Sequence, residues 1–155
     1  MTFARSMLAA AALFTIALVA MSPVRAADGL IAAKSPYGPK ETSERLQAQL
    51  AQRNLTIFAR IDHAAGAARI GQTLRPTEVL IFGNPQGGTP FMACAQTVGI
   101  DLPLKALVWE DAAGQTWIGY NDPAYLSQRH SAAQCSVVDV LRKALAGIVE
   151  ATVSR

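Results

Sequence analysis

The sequence predicts an α+β fold: a single layered domain with a mixed or antiparallel sheet of about five strands and helices packed on it, after an N-terminal signal peptide. Three observations favour this class. Short apolar segments of strand length recur between residues 29 and 120. Turns rich in glycine, asparagine and proline separate them, and an amphipathic helix ends the chain.

Residues 1–26 have the pattern of a secretory signal peptide. Arg5 precedes an apolar stretch that is short for a membrane span, Pro23 ends the stretch, and Ala26 supplies a small residue at the cleavage position. An uncleaved anchor is the alternative. We expect cleavage after Ala26, a periplasmic or secreted location, and no stable membrane span after processing.

The mature chain left after this cleavage, residues 27–155, is long enough for one domain with its own core. We divide it into an N-terminal segment, residues 27–40, and a single α+β domain, residues 41–155. Arg5 and Arg25 leave with the signal peptide, so the mature chain is close to neutral and has no cluster of basic residues. This pattern argues against nucleic acid as a partner.

In the first part of the mature chain, an edge strand is expected over residues 29–35. A helix capped by Thr42 follows, with Leu46 and Leu50 on one face, and ends near Arg53.

The next residues alternate as a half-buried strand does. The alternation predicts that one face contains Leu55, Ile57, Ala59, Ile61 and His63. Residues 64–68 are predicted to be loop-like or weakly helical, and residues 78–82 form the next strand.

A β-hairpin and two helices complete the predicted order. Residues 102–110 and 115–120 form antiparallel strands joined by the turn at residues 111–114. Pro123 begins a short helix. The final helix covers residues 137–153, and its apolar stripe contains Val137, Val140, Leu141, Leu145, Ile148, Val149 and Val153.

The turn over residues 82–90 is the most informative segment for function. It joins a strand to a helix expected from Thr89, so it can direct backbone N–H groups and the helix dipole towards one point. Asn84, Gly88 and Thr89 are its candidate ligand contacts. It lacks the lysine of a nucleotide-binding loop, and a purely structural turn is the alternative.

His63 is the candidate catalytic residue, because the end of a half-buried strand places it at the rim of the core. Asp62 and Arg75 are candidate neighbours. His130 is expected on an exposed helix end. The spacing of the histidines and acidic residues matches no metal motif, so neither a metal nor a cofactor is predicted.

The two cysteines, Cys94 and Cys135, allow two interpretations. In an oxidising compartment they can form a disulfide, and otherwise they are separate buried thiols. Their spacing is not that of a redox or metal motif.

Several short motifs in order, between residues 42 and 130, resemble the family known as domain of unknown function 302. They are Ile61-Asp62-His63, Arg75-Pro76, Phe82-Gly83-Asn84-Pro85, Gly88-Thr89-Pro90, Asp101-Leu102-Pro103-Leu104-Lys105 and Val108-Trp109-Glu110-Asp111. The resemblance implies a small α+β domain that forms a homodimer, and it implies no established activity. One branch of the family has cysteines where this chain has Gly83 and Leu104, so thiol chemistry does not carry over.

We therefore consider three functions. The first is a secreted domain that binds a small polar or anionic molecule through Asp62, His63, Arg75, Asn84, Gly88 and Thr89. The second is an enzyme that uses His63 as general base, with the turn stabilising an oxyanion. The third is a structural homodimerisation module that pairs through a sheet edge or the C-terminal helix.

Overall fold

The computed structural model of the protein describes residues 27–155, so the predicted signal peptide lies outside the described residues. The elements in chain order are β1 (Leu30–Lys34), α1 (Pro39–Gln52), β2 (Thr56–Asp62), α2 (His63–Arg69), β3 (Thr77–Gly83), α3 (Pro85–Cys94), a 3-10 helix (Gln96–Ile100), β4 (Leu104–Glu110), β5 (Thr116–Asn121), α4 (Pro123–Arg129) and α5 (Val137–Val153).

The strands form one five-stranded sheet in the order β1-β5-β4-β3-β2. Every neighbouring pair is antiparallel. The predicted α+β class is confirmed, and the sheet is antiparallel rather than mixed. The expected edge strand is β1, which pairs with β5 and so joins the N-terminal segment to the sheet.

The main core lies between one face of the sheet, which we call the core face, and the helices α1 and α5. Leu46 and Leu50 of α1 are fully buried, as the helical spacing predicts. The other buried residues of this core are Leu80, Phe82, Ala106, Val108, Ile118, Tyr120, Leu145, Ile148 and Val149. In the strands these residues alternate in the sequence, which places them all on one side of the sheet.

The start of α1 differs from the prediction. The helix begins at Pro39, whose fixed φ suits the first helical position. Thr42 therefore lies inside the helix, not at its cap. Its hydroxyl is buried and lies 2.7 Å from the Ser35 hydroxyl, which holds the end of β1 against α1.

The predicted single apolar face of residues 55–63 is wrong because β2 contains a β-bulge. The pairing register shifts between Ile57, opposite Phe82, and Ala59, opposite Ile81. The extra residue is Phe58, whose side chain is 57 % exposed. A bulge reverses the alternation, so Ile57 shares the core face with Phe82 whereas Ala59 lies on the opposite face.

The apolar stripe of α5 is shifted from the predicted one. Val140 is 63 % exposed, whereas Val138 is buried. The face of α5 that packs is set by Leu141, Leu145 and Ile148, and Val140 points away from that face at helical spacing.

Asp111 stabilises the turn of the β4–β5 hairpin. Its Oδ1 accepts hydrogen bonds from the N–H groups of Ala113 and Gln115, and its Oδ2 accepts one from Trp117 Nε1 at 2.8 Å. The hydrogen bond from the Trp117 side chain, followed by those from the backbone, lowers the pKa of Asp111 from its usual value of 3.8.

We predict that this carboxylate makes the stability of the hairpin depend on pH. A lowered pKa in the folded state stabilises the fold above the unfolded value of 3.8, and the contribution is lost as the pH falls below it. Urea unfolding of Asp111→Asn should show a lower free energy of unfolding at neutral pH, with the difference from wild type shrinking at acid pH. Trp117→Phe should weaken the same dependence. A constant difference between Asp111→Asn and wild type across the titration would contradict this account.

Candidate functional site

The predicted site residues lie at opposite ends of the sheet. Antiparallel pairing places Asp62 opposite Glu78, at the start of β3, whereas Asn84 follows the last residue of β3. The two ends of such a strand are roughly 20 Å apart. Arg75 precedes β3 and donates to the Glu110 carbonyl, at the Asp62 end. These residues therefore cannot all contact one small molecule, as the first of the three functions considered from the sequence requires.

His63 does not occupy the predicted position at the rim of the core. The strand ends at Asp62, whose carboxylate accepts a hydrogen bond from the Ala65 N–H at 2.9 Å and so caps α2. His63 is the first residue of this helix, and its side chain is exposed. A catalytic role for His63 stays a prediction, without the burial that first favoured it.

At the other end of the sheet, α3 begins at Pro85 instead of Thr89. Asn84 is the cap, and its Oδ1 accepts a hydrogen bond from the Gly87 N–H at 2.9 Å. Thr89 lies within the helix and is exposed. The sequence contained a signal for this start, since proline is favoured directly after the cap.

This cap leaves few backbone donors for an anion. Pro85 has no N–H, the N–H of Gly87 is bonded to Asn84 Oδ1, and the N–H of Gly88 donates to the Asn84 carbonyl. Among the first helical residues only Gln86 keeps an N–H outside these bonds. The helix start is therefore poorly equipped as an anion site.

The same end of the sheet instead forms an apolar groove with a volume of about 330 Å³. It lies between the end of β3, α3, the segment before β4, and α5. The lining residues are Leu55, Phe58, Phe82, Gly83, Asn84, Gly87, Gly88, Met92, Gly99, Leu102, Pro103, Leu104, Leu141, Ala144, Leu145 and Ile148. Asn84 carries the one polar side chain in this set.

Glycines shape the groove. A Cβ atom on Gly87 would lie 3.2 Å from Leu141 Cδ2, so the missing side chain allows α3 to approach α5 closely. A Cβ on Gly88 would lie 3.7 Å from Leu102 Cδ1, an ordinary contact across the groove. A larger side chain at Gly88 would fill the space that the structure leaves open.

Asp62 lies in a second, more polar cavity of about 360 Å³ at the opposite end of β3. Lys40, Arg60 and Glu78 also line it. The Glu78 carboxylate accepts hydrogen bonds from the buried Ser43 hydroxyl and from Arg60 Nε. These internal bonds satisfy the carboxylate, so this cluster holds α1 and β2 to β3.

Residues 31–152 match the family described as domain of unknown function DUF302. The chain belongs to the DUF302 family. This confirms the resemblance found in the sequence.

Curated relatives and a solved structure are similar to this DUF302 domain. The chain is 47 % identical over 118 residues to the fluoride-specific ion channel FluC 1 of Brucella suis biovar 1 (strain 1330). It is equally identical, over the same length, to FluC 1 of Brucella abortus biovar 1 (strain 9-941). These matches cover 76 % of this chain but only 46 % and 43 % of the relatives.

The solved structure is an uncharacterized conserved DUF302 protein from Bacillus stearothermophilus, with a TM-score of 0.74 and 24 % identity. The similarity covers 81 % of this chain and 99 % of that chain, and at this identity it shows the fold. Within residues 27–155, the helices are all too short or too polar to cross a bilayer.

The sequence analysis missed a hydrogen-bonded cluster around His130. His130 Nε2 lies 2.6 Å from Asp101 Oδ2, and Nδ1 lies 2.9 Å from Thr97 Oγ1. Arg129 Nη1 lies 3.2 Å from the other Asp101 oxygen. The His130 side chain is only 8 % exposed, so its predicted exposed position is wrong. Asp101 and Thr97 lie 29 and 33 positions before His130, so no local sequence pattern indicates these contacts.

A disulfide lies beside this cluster. Of the two interpretations of the cysteines, the structure has the bonded one: Cys94 and Cys135 are joined, with Cα atoms 6.0 Å apart. Cys94 ends α3 and Cys135 precedes α5. Together, the disulfide and the His130 cluster hold the 3-10 helix to the α4–α5 connection. Since none of His130, Asp101 and Thr97 lines the groove, we assign the cluster a structural role.

We predict that the two histidines of this DUF302 domain differ sharply in their effect on stability. His130→Ala leaves the largely buried Asp101 without its imidazole partner, which should lower the free energy of unfolding by about 1–3 kcal/mol. His63→Ala, at an exposed site, should change it by less than about 0.5 kcal/mol. Urea unfolding of both variants measures the difference, and equal stabilities would contradict the structural role of His130.

Proposed function

We propose that this chain is an exported DUF302 domain that binds a small, largely apolar molecule in the groove between α3 and α5. The observation that carries the proposal is the groove itself, with about 330 Å³ of space and almost no polar lining. This volume lies at the lower end of the range for small-molecule sites.

The contacts indicate how the occupant is held. Leu102 and Leu104 on one side and Leu141 and Ala144 on the other present aliphatic surface. Burial of apolar surface provides the binding free energy, at roughly 25 cal/mol per Å². Asn84 can orient one polar group of the ligand through its amide, although one lone pair of its oxygen already accepts from Gly87.

The polar or anionic ligand expected from the sequence is less well supported than an apolar one. Its proposed contacts lie at both ends of β3, and the start of α3 uses most of its own donors. Export is supported by the pattern of residues 1–26 and by the disulfide, because such bonds persist in oxidising compartments.

Filling the groove should abolish binding of an apolar probe. N-phenyl-1-naphthylamine, a neutral fluorophore, should bind the wild-type protein saturably with increased emission. Ala144→Phe places a ring in the groove from an exposed position on α5, and should weaken binding at least about tenfold, or about 1.4 kcal/mol. Fluorescence titration measures the dissociation constants.

Ala146→Phe is the matched control, because Ala146 is also exposed on α5 but does not line the groove. It should bind the probe as wild type does. Equal affinity of Ala144→Phe and wild type would contradict the proposal. Displacement of the probe by inorganic phosphate, but not by a medium-chain alcohol, would favour the polar ligand instead.

The curated relatives favour a second candidate function. They are named fluoride-specific ion channels, and this chain spans less than half of their length. We propose that the DUF302 domain accompanies such a channel as an accessory domain. The supporting observation is 47 % identity over 118 residues.

Complementation tests this second function. The Brucella suis relative, shortened by the segment that matches this chain, should protect a fluoride-sensitive bacterium less well than the full-length protein. Co-expression of this chain should restore growth in fluoride, provided that immunoblots of membranes show equal amounts of the shortened channel. Full protection by the shortened channel alone would contradict the accessory role.

A further inference from the structure

The disulfide between Cys94 and Cys135 connects the two helices that form the walls of the groove. Cys94 is the last residue of α3, which contributes Gly87, Gly88 and Met92 to the groove lining. Cys135 lies shortly before the start of α5, which forms the facing wall. The bond is therefore a covalent tie across the proposed binding site.

The amino-acid sequence of α3 favours a helix only weakly. Two glycines lower its helix propensity, and Pro90 lacks the N–H that would continue the hydrogen bonding of the helix. Such a helix depends on tertiary contacts for its order. Near its C-terminal end the ring of Phe91 is fully buried and Cys94 is bonded, whereas Met92 and Ala93 between them are exposed. The disulfide therefore fixes the part of α3 that carries Met92.

The two cysteines of the disulfide differ in their access to solvent. Cys94 is exposed, whereas Cys135 is only 7 % exposed and belongs to the buried apolar cluster that contains Phe91 and Leu141. A thiolate from solvent therefore has access to Cys94 rather than to Cys135. Exposed disulfides belong to the labile and regulatory class, whereas structural ones resist reduction.

We propose that this disulfide is an exchange site for a dithiol protein, and that its reduction loosens the α3 wall and weakens binding in the groove. The inference rests on the proposed function, because it concerns the regulation of the same groove. In an oxidising compartment the bonded form, which binds more tightly, is the resting state. A dithiol protein of that compartment supplies the electrons for reduction.

The reduction consists of two successive exchange steps. In the first, a thiolate of the dithiol attacks the Cys94 sulfur and forms a mixed disulfide, while Cys135 leaves with the electron pair and takes up a proton. In the second, the other thiol of the dithiol, as a thiolate, attacks the dithiol's own sulfur in the mixed disulfide. Cys94 then leaves with the electron pair and takes up a proton. The chain has gained two electrons and two protons, and the dithiol has been oxidised to a disulfide.

The fold provides a partner for the buried thiol that reduction creates. Cys135 Sγ lies 3.8 Å from the carbonyl oxygen of Pro90, which can accept the weak S–H hydrogen bond. The hydrogen bond between Thr97 and His130 continues to hold the 3-10 helix that follows α3. We therefore expect reduction to free residues 92–95 locally and to leave the rest of the fold intact.

Reduction of the folded chain tests the exchange site. Dithiothreitol, a small dithiol, should reduce the disulfide without urea, and iodoacetamide should then alkylate Cys94 and spare Cys135, as peptide mass spectrometry measures. A thioredoxin that lacks its second active-site cysteine should be captured on Cys94. Reduction that requires urea, or alkylation of Cys135 before Cys94, would overturn the exchange site.

The effect on the groove is measured on the same oxidised and reduced protein. Reduction should lower the affinity for N-phenyl-1-naphthylamine at least about fivefold, because the α3 wall is no longer held in its binding conformation. Amide hydrogen exchange at Met92 and Ala93 should become faster, while the circular dichroism spectrum keeps its helical signal. Loss of that signal would overturn the proposal, because the change would then be global unfolding.

The double variant Cys94→Ser, Cys135→Ser is the matched control. It should bind the probe as the reduced wild-type chain does, with or without dithiothreitol, and if it fails to fold the reduced wild-type chain carries the test alone. Equal affinity of the oxidised and reduced wild-type chain would overturn the regulation and leave the proposed function intact. Absence of binding in both states would contradict the proposed function itself, and the alkylation pattern and hydrogen exchange would still decide on the exchange site.

Discussion

The packing of α1 and α5 on a single face of the sheet is the interaction on which the rest of the structure depends. Leu46 and Leu50 from α1, with Leu145 and Ile148 from α5, fill the space above the sheet and are almost fully buried. Burial of each such side chain contributes roughly 1.5–3 kcal/mol. This packing has two consequences. It leaves the other face of the sheet uncovered by α1 and α5, and it brings α5 close to the end of β3. There, α5 meets α3 at Gly87 and Leu141, and the two helices form the walls of the groove.

Much of the fold could be predicted from the sequence because local patterns determine it. Alternating apolar residues in β3, β4 and β5 face a common core, so the strands and their hairpin were predicted close to where they lie. The bulge at Phe58 was not predicted. Residues 57–59 are all apolar and so interrupt the alternation, but only the pairing with β3 shows which residue is the extra one. The face of α5 was misassigned at Val140 for a related reason. Apolar residues are present on more than one side of the helix, and tertiary packing decides between them.

The candidate site was predictable in part. The turn after β3 does lie at a cavity, and Asn84 lines it. Two other features depend on contacts far apart in the sequence. Antiparallel pairing sends Asp62 and His63 away from Asn84, and folding brings His130 to Asp101 and Thr97. The apolar character of the groove was also not predicted. In the sequence, Leu102, Leu141 and Leu145 have the pattern of core residues, and only the structure shows that glycines of α3 face Leu102 and Leu141.

The most direct test of the central claim is a methyl NMR titration of the mature protein with N-phenyl-1-naphthylamine. The account predicts that the methyl signals of Leu102, Leu141 and Ile148 shift together and saturate at one probe per chain, while the methyl signals of Val140 and Ile70 stay in place. Shifts confined to the methyl groups outside the groove, or a spectrum that the probe leaves unchanged, would contradict the assignment of the groove as a binding site.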